Sequence, residues 1–81
     1  MTITINMYKI NSKTNTYTFL NTMELESGDN TTWKEHTHPR TGQYGKAFKK
    51  GVLEALKKGR AVTEYKEPHE GWFQLEFTIN D

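Results

Sequence analysis

One segment of the chain has apolar residues at helical spacing, whereas apolar and polar residues alternate in the segments around it as they do in β-strands. This contrast is the feature that most constrains the fold. From Tyr44 to Leu56, apolar residues recur at spacings of three and four, which is typical of an amphipathic helix packed on one side. Thr41 or Gly42 can begin the helix, and Gly59 can end it because glycine readily adopts the left-handed conformation found at helix C-termini. The apolar stripe of this predicted helix consists of Tyr44, Ala47, Phe48, Gly51, Val52, Ala55 and Leu56.

The rest of the chain is predicted to form a sheet, because apolar and polar residues alternate there with the period of two that is typical of strands. Turn-forming sequences rich in Asn, Ser, Gly and Pro separate the alternating stretches. The order β-β-β-α-β-β predicts an α+β fold, a small antiparallel sheet with one amphipathic helix packed on one face, in a single domain spanning residues 1–81. The predicted strands cover residues 2–10, 16–26, 31–38, 61–66 and 72–79.

The second predicted strand has an imperfect pattern. Tyr17, Phe19, Met23 and Leu25 fall on one face if the alternation is unbroken, and Asn21 interrupts that face with a polar side chain. All four apolar side chains are therefore predicted to pack on the same side of the sheet. The inner face of the last strand is predicted to hold Phe73, Leu75, Phe77 and Ile79.

Composition excludes several kinds of site and location. The 81 residues include no cysteine, which excludes disulfides, iron–sulfur clusters and thiolate zinc sites and fits a reducing compartment. The N-terminal residues lack the charged start and apolar run of a secretory signal, and no apolar stretch reaches the roughly 18 residues that span a bilayer. We therefore expect a cytoplasmic protein with no membrane partner and no cofactor.

The formal net charge of +1 conceals a strong segregation of charge along the chain. Residues 39–60 carry seven Lys or Arg and one Glu, a net charge of +6. Residues 1–38 have a net charge of −1, and residues 61–81 have a net charge of −4. The central segment therefore creates a local positive field that the overall pI of about 8.0 does not reveal.

The lysines of the predicted helix gather on one face. On a helical wheel, four of them fall within an arc of roughly 100° opposite the apolar stripe, with no acidic residue inside it. Glu54 borders the arc, where it can pair with Lys50 or Lys58 one turn away. Such lysines are often only a solvated helix face, but their one-sided clustering favours contact with nucleic-acid phosphates. The predicted nucleic-acid-binding residues are Arg40, Lys46, Lys49, Lys50, Lys57, Arg60 and, for base stacking, Tyr44.

Residues 42–56, in which a glycine-containing loop leads into a lysine-rich helix, resemble the β-β-β-α portion of double-stranded-RNA-binding domains when the three preceding strands are included. In that family, lysines at the helix start contact phosphates across a groove, and alanine and leucine behind them pack on the sheet. The resemblance implies this role for Lys46, Lys49 and Lys50, with structured RNA favoured over DNA. It covers about a quarter of the chain, lacks the first helix of the family and is followed by two additional strands.

The opening sequence MTITINMYKI, the absence of cysteine and the plan with a single helix resemble small early proteins of tailed bacteriophages. Those proteins are rich in Thr, Asn and Lys, and they often inhibit a host or defence factor. The resemblance implies a regulator or antitoxin-like inhibitor of a host nuclease or defence system, with a host or defence protein as a second kind of partner.

Two tryptophans are candidates for contact with a protein partner. Trp33 lies in the third predicted strand, where it is also suited to stack on a base, and Trp72 points away from the inner face that Phe73 begins. The competing hypothesis is a protein inhibitor that uses the sheet face or an edge strand without nucleic acid. The thin core and exposed edges of so short a chain are also compatible with a homodimer.

Histidines and carboxylates raise two further hypotheses. His36 and His38 project to one face of the third predicted strand, and His69 lies in a hairpin loop. A metal site requires three or four ligands to converge, and Glu35, Glu67 or Glu70 lies near these histidines in sequence. Glu24 and Glu26 share a strand face, which suits a small metal-dependent nuclease but is equally common for solubilising residues. We favour a non-enzymatic nucleic-acid-binding accessory or inhibitor protein over both.

Overall fold

The computed structural model of the chain describes residues 2–26 and 42–80. The predicted α+β fold is confirmed, and each described strand agrees with its predicted range to within one residue at either end. The described order is β-β-α-β-β, and the strand predicted at residues 31–38 lies outside the described residues. The elements are β1 (Thr2–Asn11), β2 (Thr16–Glu26), α1 (Gly42–Lys58), β3 (Arg60–Glu67) and β4 (Gly71–Asn80).

The four described strands form one antiparallel sheet in the order β2-β1-β4-β3. The helix α1 lies on the inner face of this sheet, against β3 and β4. Strand β2 lies at the far side of the sheet from the helix, and every residue from 11 to 22 is exposed. One face of the sheet carries the core, and the part of the chain that the structure describes leaves the other, outer face open to solvent.

The core lies between α1 and the inner face of the sheet. Ile3 and Ile5 on β1 and Leu75 and Phe77 on β4 are almost completely buried there. The ring of Phe48, from α1, meets the ring of Phe77 edge-on, with 5.8 Å between their centroids. The alternation predicted for the first and last strands is therefore confirmed.

A glycine in the middle of α1 lets the helix approach the sheet closely. A β-carbon on Gly51 would collide with the ring of Phe77. The Thr63 hydroxyl, on β3, donates a hydrogen bond of 3.1 Å to the carbonyl of Ala47 and ties the helix to that strand. Leu56 is the exception to the predicted apolar stripe, since it lies on the flank of the helix and is 42% exposed.

Gly59 ends α1 and turns the chain into β3. Its φ is 89°, and its N–H donates to the carbonyl of Ala55 at 2.7 Å, as a helix C-terminus with a left-handed residue requires. The N–H of Ile79 donates to the Gly59 carbonyl at 2.9 Å. This bond from β4 fixes the C-terminal end of the helix against the sheet.

A β-bulge at Leu20 overturns the prediction for the second strand. Met7 pairs with Asn21, but the next residue of β1, Tyr8, pairs with Phe19, so Leu20 has no partner in the ladder. The extra residue shifts the alternation by one position, because paired residues share a face. Met23 and Leu25 therefore face inward, as predicted, whereas Tyr17 and Phe19 lie on the outer face, 48% and 54% exposed.

A tight turn at residues 67–70 joins β3 to β4. The N–H of Glu70 donates to the carbonyl of Glu67 at 3.2 Å, and His69 has a φ of 70°. Because Pro68 fixes a negative φ at the second turn position, a positive φ at the third makes this a type II turn, where glycine is preferred.

Replacing His69 with glycine is expected to raise the free energy of unfolding by about 0.5–1 kcal/mol, because a residue with a β-carbon is disfavoured in the left-handed region. Urea denaturation of the variant and the parent protein measures the difference. Gly71→Ala is the matched control with the opposite sign, since Gly71 has a φ of 95°. A loss of stability in the His69 variant would show that the imidazole makes a stabilising contact.

Candidate nucleic-acid interface

The outward face of α1 presents the lysines that the sequence singles out. Tyr44, Ala47, Phe48, Gly51 and Ala55 bury the opposite side of the helix in the core. This packing fixes the rotation of the helix about its axis, so the side chains roughly opposite must point into solvent. The basic helix surface, as we name it, consists of the exposed residues Lys46, Lys49, Lys50 and Lys57.

Three of the four lysines of this surface are not neutralised by neighbouring carboxylates of the described chain. Lys46, Lys50 and Lys57 form no ion pair within 4.0 Å with any described residue. Glu54, which is half-buried, does not form the pair with Lys50 or Lys58 that its spacing allows. The surface therefore keeps a positive potential toward an approaching anion.

Lysines near the end of a helix have a structural explanation as well. Lys57 and Lys58 lie in the last turn of α1, where positive charge interacts favourably with the helix dipole. That explanation does not extend to Lys46, in the second turn of α1, or to Lys50, at its midpoint. Interaction with the helix dipole therefore does not account for these two lysines.

A groove runs beside the basic helix surface, between α1 and β3. It has a volume of about 430 Å³, and Lys46 and Lys50 form part of its helix side. Glu64 on β3 forms part of the other side, so an anion is attracted to the helix side and repelled from the strand. The Thr63 hydroxyl already donates to the Ala47 carbonyl. The remaining lining residues are Gln43, Ala47 and Val62.

Two residues predicted for this interface lie elsewhere. Tyr44 is only 3% exposed, and its ring packs edge-on against Tyr65 with 5.3 Å between centroids, so it cannot stack on a base. The sequence pattern that places Tyr44 in the apolar stripe already indicated this burial. Arg60 is exposed, but the alternation of β3 places it on the outer face of the sheet, away from α1. Arg40 and Trp33 lie outside the described residues.

No family model, curated protein or solved structure matches this chain. None of the described helical residues forms a segment long and apolar enough to cross a bilayer.

The metal and nuclease hypotheses gain no support from the described residues. In residues 2–26 and 42–80, no three His, Asp or Glu side chains lie close enough together to hold a metal ion. His36 and His38 lie outside these ranges, so their convergence with His69 stays a hypothesis. The exposed Glu24 belongs to no such group of three within the described chain.

The sequence patterns missed a second exposed surface, on the outer face of the sheet. Trp72 is 42% exposed there, as its position opposite the Phe73 face predicts. Tyr17 and Phe19 join it because of the bulge at Leu20. The interruption of the apolar alternation at Asn21 was the signal in the sequence, since a break in the period of two is what a bulge produces.

Proposed function

We propose that this protein binds structured RNA non-enzymatically, through electrostatic contact between phosphates and the basic helix surface. One observation carries the proposal: four exposed lysines share the outward side of one helix, and the packing of α1 on the sheet holds them there. Ammonium groups that neutralise phosphates release condensed counterions, and this release drives association with a polyanion.

The length of the surface suits a nucleic acid better than a single small anion. Lys46 and Lys57 are separated by about 16 Å along the helix axis, at 1.5 Å per residue. An anion of small size would contact one or two of these ammonium groups, whereas a phosphate backbone can contact all of them. The resemblance of residues 42–56 to double-stranded-RNA-binding domains supports RNA over DNA, because the nucleic acid whose phosphates those domains contact is RNA.

An accessory or inhibitory role follows from binding of this kind. A protein that occupies the phosphates of a structured RNA competes with any nuclease or RNA-bound complex that needs the same phosphates. Such competition requires no catalytic residue of its own.

Salt titration of binding to an RNA duplex tests the proposal. If each lysine of the basic helix surface neutralises one phosphate, the slope of log K against log salt concentration is expected to approach about −3.6. Fluorescence anisotropy with a labelled duplex measures it, and a DNA duplex of the same sequence tests the preference for RNA. Binding that does not depend on salt would contradict the phosphate mechanism.

The competing functions predict different results in the same assay. A protein inhibitor that works without nucleic acid would leave the duplex unbound at low salt. A metal-dependent nuclease would shorten the labelled strand in a reaction that a chelator stops. Either outcome would replace RNA binding as the function.

A further inference from the structure

The outer face of the sheet carries an apolar cluster that residues 2–26 and 42–80 leave uncovered. Tyr17, Phe19 and Trp72 are all more than 40% exposed there. Tyr8 and Ile10 lie between them on β1 and are half-buried, and the Tyr8 and Phe19 rings meet edge-on at 5.7 Å. These five residues, the outer aromatic cluster, lie toward one end of the sheet, where the β1–β2 turn and the β3–β4 turn are both found.

The bulge creates this cluster. Without it, Tyr17 and Phe19 would lie on the face that carries the core. Exposed aromatic rings are enriched in the centres of protein interfaces, and monomeric proteins rarely expose large contiguous apolar patches. We propose that two copies of this chain pack through their outer faces to form a symmetric dimer.

The residues of the outer face form rows across the sheet. Each row holds one residue from every strand, in the order β2, β1, β4, β3, and neighbours in a row are paired in the ladder. The first row consists of Tyr17, Ile10, Trp72 and Lys66, and the second of Phe19, Tyr8, Gln74 and Glu64. The third consists of Thr22, Asn6, Glu76 and Val62, and the fourth of Glu24, Thr4, Thr78 and Arg60. The apolar rows are therefore at one end of the face and the polar rows at the other.

When the two faces overlap fully, only one of two simple symmetry axes places the rows that contain apolar residues over each other. A two-fold axis across the strands would place the first row of one copy over the polar rows of the other. An axis along the strands places each row over the same row of its partner, with β2 opposite β3. Ile10 then lies opposite Trp72, and Tyr17 lies opposite Lys66, whose ammonium group can interact with the ring. Phe19 lies opposite Glu64, whose methylene groups cover the ring at the edge of the sheet.

The same axis also pairs opposite charges. In the fourth row it places Glu24 of one copy opposite Arg60 of the other, and symmetry repeats the pair. Both side chains are exposed, and they are long enough to adjust to the angle of about 30° between aligned sheets. Asn6 and Thr22 in the third row are already hydrogen-bonded, since Thr22 donates to Asn6 at 2.7 Å and Asn6 donates to Glu76 at 3.2 Å.

The size of the face meets the requirement of a small dimer. Four strands spaced by about 4.8 Å, and about 26–36 Å long at about 3.3 Å per residue, give a flat face of roughly 600 Å². Side chains that protrude from this face raise its accessible area toward the roughly 800 Å² per partner that specific complexes bury. The helices lie on the outside of such a dimer, so the lysines of the basic helix surface stay exposed, and only Val62 and Glu64, at the edge of the sheet, belong both to the groove beside α1 and to the covered face.

Charge on the outer face favours a second copy over a nucleic acid. Glu24, Glu64 and Glu76 outnumber Arg60 and Lys66 on that face. A phosphate backbone would be repelled by this excess of carboxylates, although aromatic rings can stack on bases. A copy of the same chain instead presents an arginine to Glu24.

Sedimentation equilibrium over a range of protein concentrations, without RNA, tests the dimer. Glu24→Arg and Arg60→Glu are each expected to weaken self-association about ten-fold, because each variant creates two like-charged pairs. An equimolar mixture of the two variants should associate as tightly as the parent protein, because each arginine then meets a glutamate. Glu70→Arg, in the exposed hairpin turn, is the control with the same change in charge as Glu24→Arg.

Three results would overturn the proposal. The parent protein could stay monomeric at millimolar concentration. It could dimerise with no response to the Glu24 and Arg60 variants, which would place the interface elsewhere. Finally, Tyr17→Ser and Trp72→Ser could weaken RNA binding by a monomer, which would assign the outer aromatic cluster to base stacking. A parent protein that dimerises but does not bind the RNA duplex would contradict only the proposed function and not the dimer.

Discussion

Replacement of Lys46 and Lys50 by glutamine is expected to weaken binding to an RNA duplex about 60-fold in 0.1 M salt. Loss of two phosphate contacts lowers the magnitude of the slope of log K against log salt concentration by about 1.8. If the two proteins bind equally at 1 M salt, this change in slope gives a difference of about 60-fold at 0.1 M. Glutamine has nearly the helix propensity of lysine, so α1 should be unaffected. Anisotropy titrations at several salt concentrations measure both the affinity and the slope.

Lys13→Glu is the matched control for this double variant, because it changes the net charge by the same amount. Lys13 is exposed in the turn between β1 and β2, on a different part of the surface from α1. An equal loss of affinity in the two variants would show that overall charge, and not the basic helix surface, determines binding.

Gly51→Ala is expected to lower the free energy of unfolding by about 3 kcal/mol, a large part of the stability of so small a domain. In an exposed helix the same replacement stabilises by about 0.5–1 kcal/mol, so even the sign of the effect depends on the sheet. The new methyl group would collide with the Phe77 ring, which is fully buried and cannot move aside without displacing its neighbours. Urea denaturation in a stabilising osmolyte keeps the native state measurable for the variant.

A double-mutant cycle separates this collision from a general effect on the helix. Phe77→Val removes the ring atoms that the new methyl group would meet, so the double variant should lose at least about 1 kcal/mol less than the sum of the single losses. Leu53→Ala, at an exposed position of the same helix, should change stability by less than about 0.5 kcal/mol. Additive losses at positions 51 and 77 would mean that the two side chains do not meet.

The sequence predicted the elements well because their patterns are local. The helix from Gly42 to Lys58 follows from the spacing of its apolar residues and the glycine after it. The hairpin strands β3 and β4 follow from alternation on both sides of a turn that contains Pro68 and Gly71. In each case one periodicity holds throughout the element, so no distant residue is needed to define it.

The candidate site was predicted in part. The exposed lysines of α1 were expected from the helical wheel, since the buried side of a helix determines its opposite side. Tyr44 and Arg60 were placed in the same interface because they are close in sequence to those lysines. Burial of Tyr44 against Tyr65, and the direction of Arg60 from β3, depend on strands that come later in the chain.

The sequence by itself determined the class of fold, the strand and helix boundaries and the side of α1 that carries positive charge, because each depends on the periodicity of neighbouring residues. Only the tertiary structure decided that β2 contains a bulge at Leu20 and that Tyr17 and Phe19 reach the outer face. The physical reason is that the register between two strands depends on which residues pair across them. One unpaired residue reverses the face of every side chain beyond it, while the sequence of that strand still permits regular alternation.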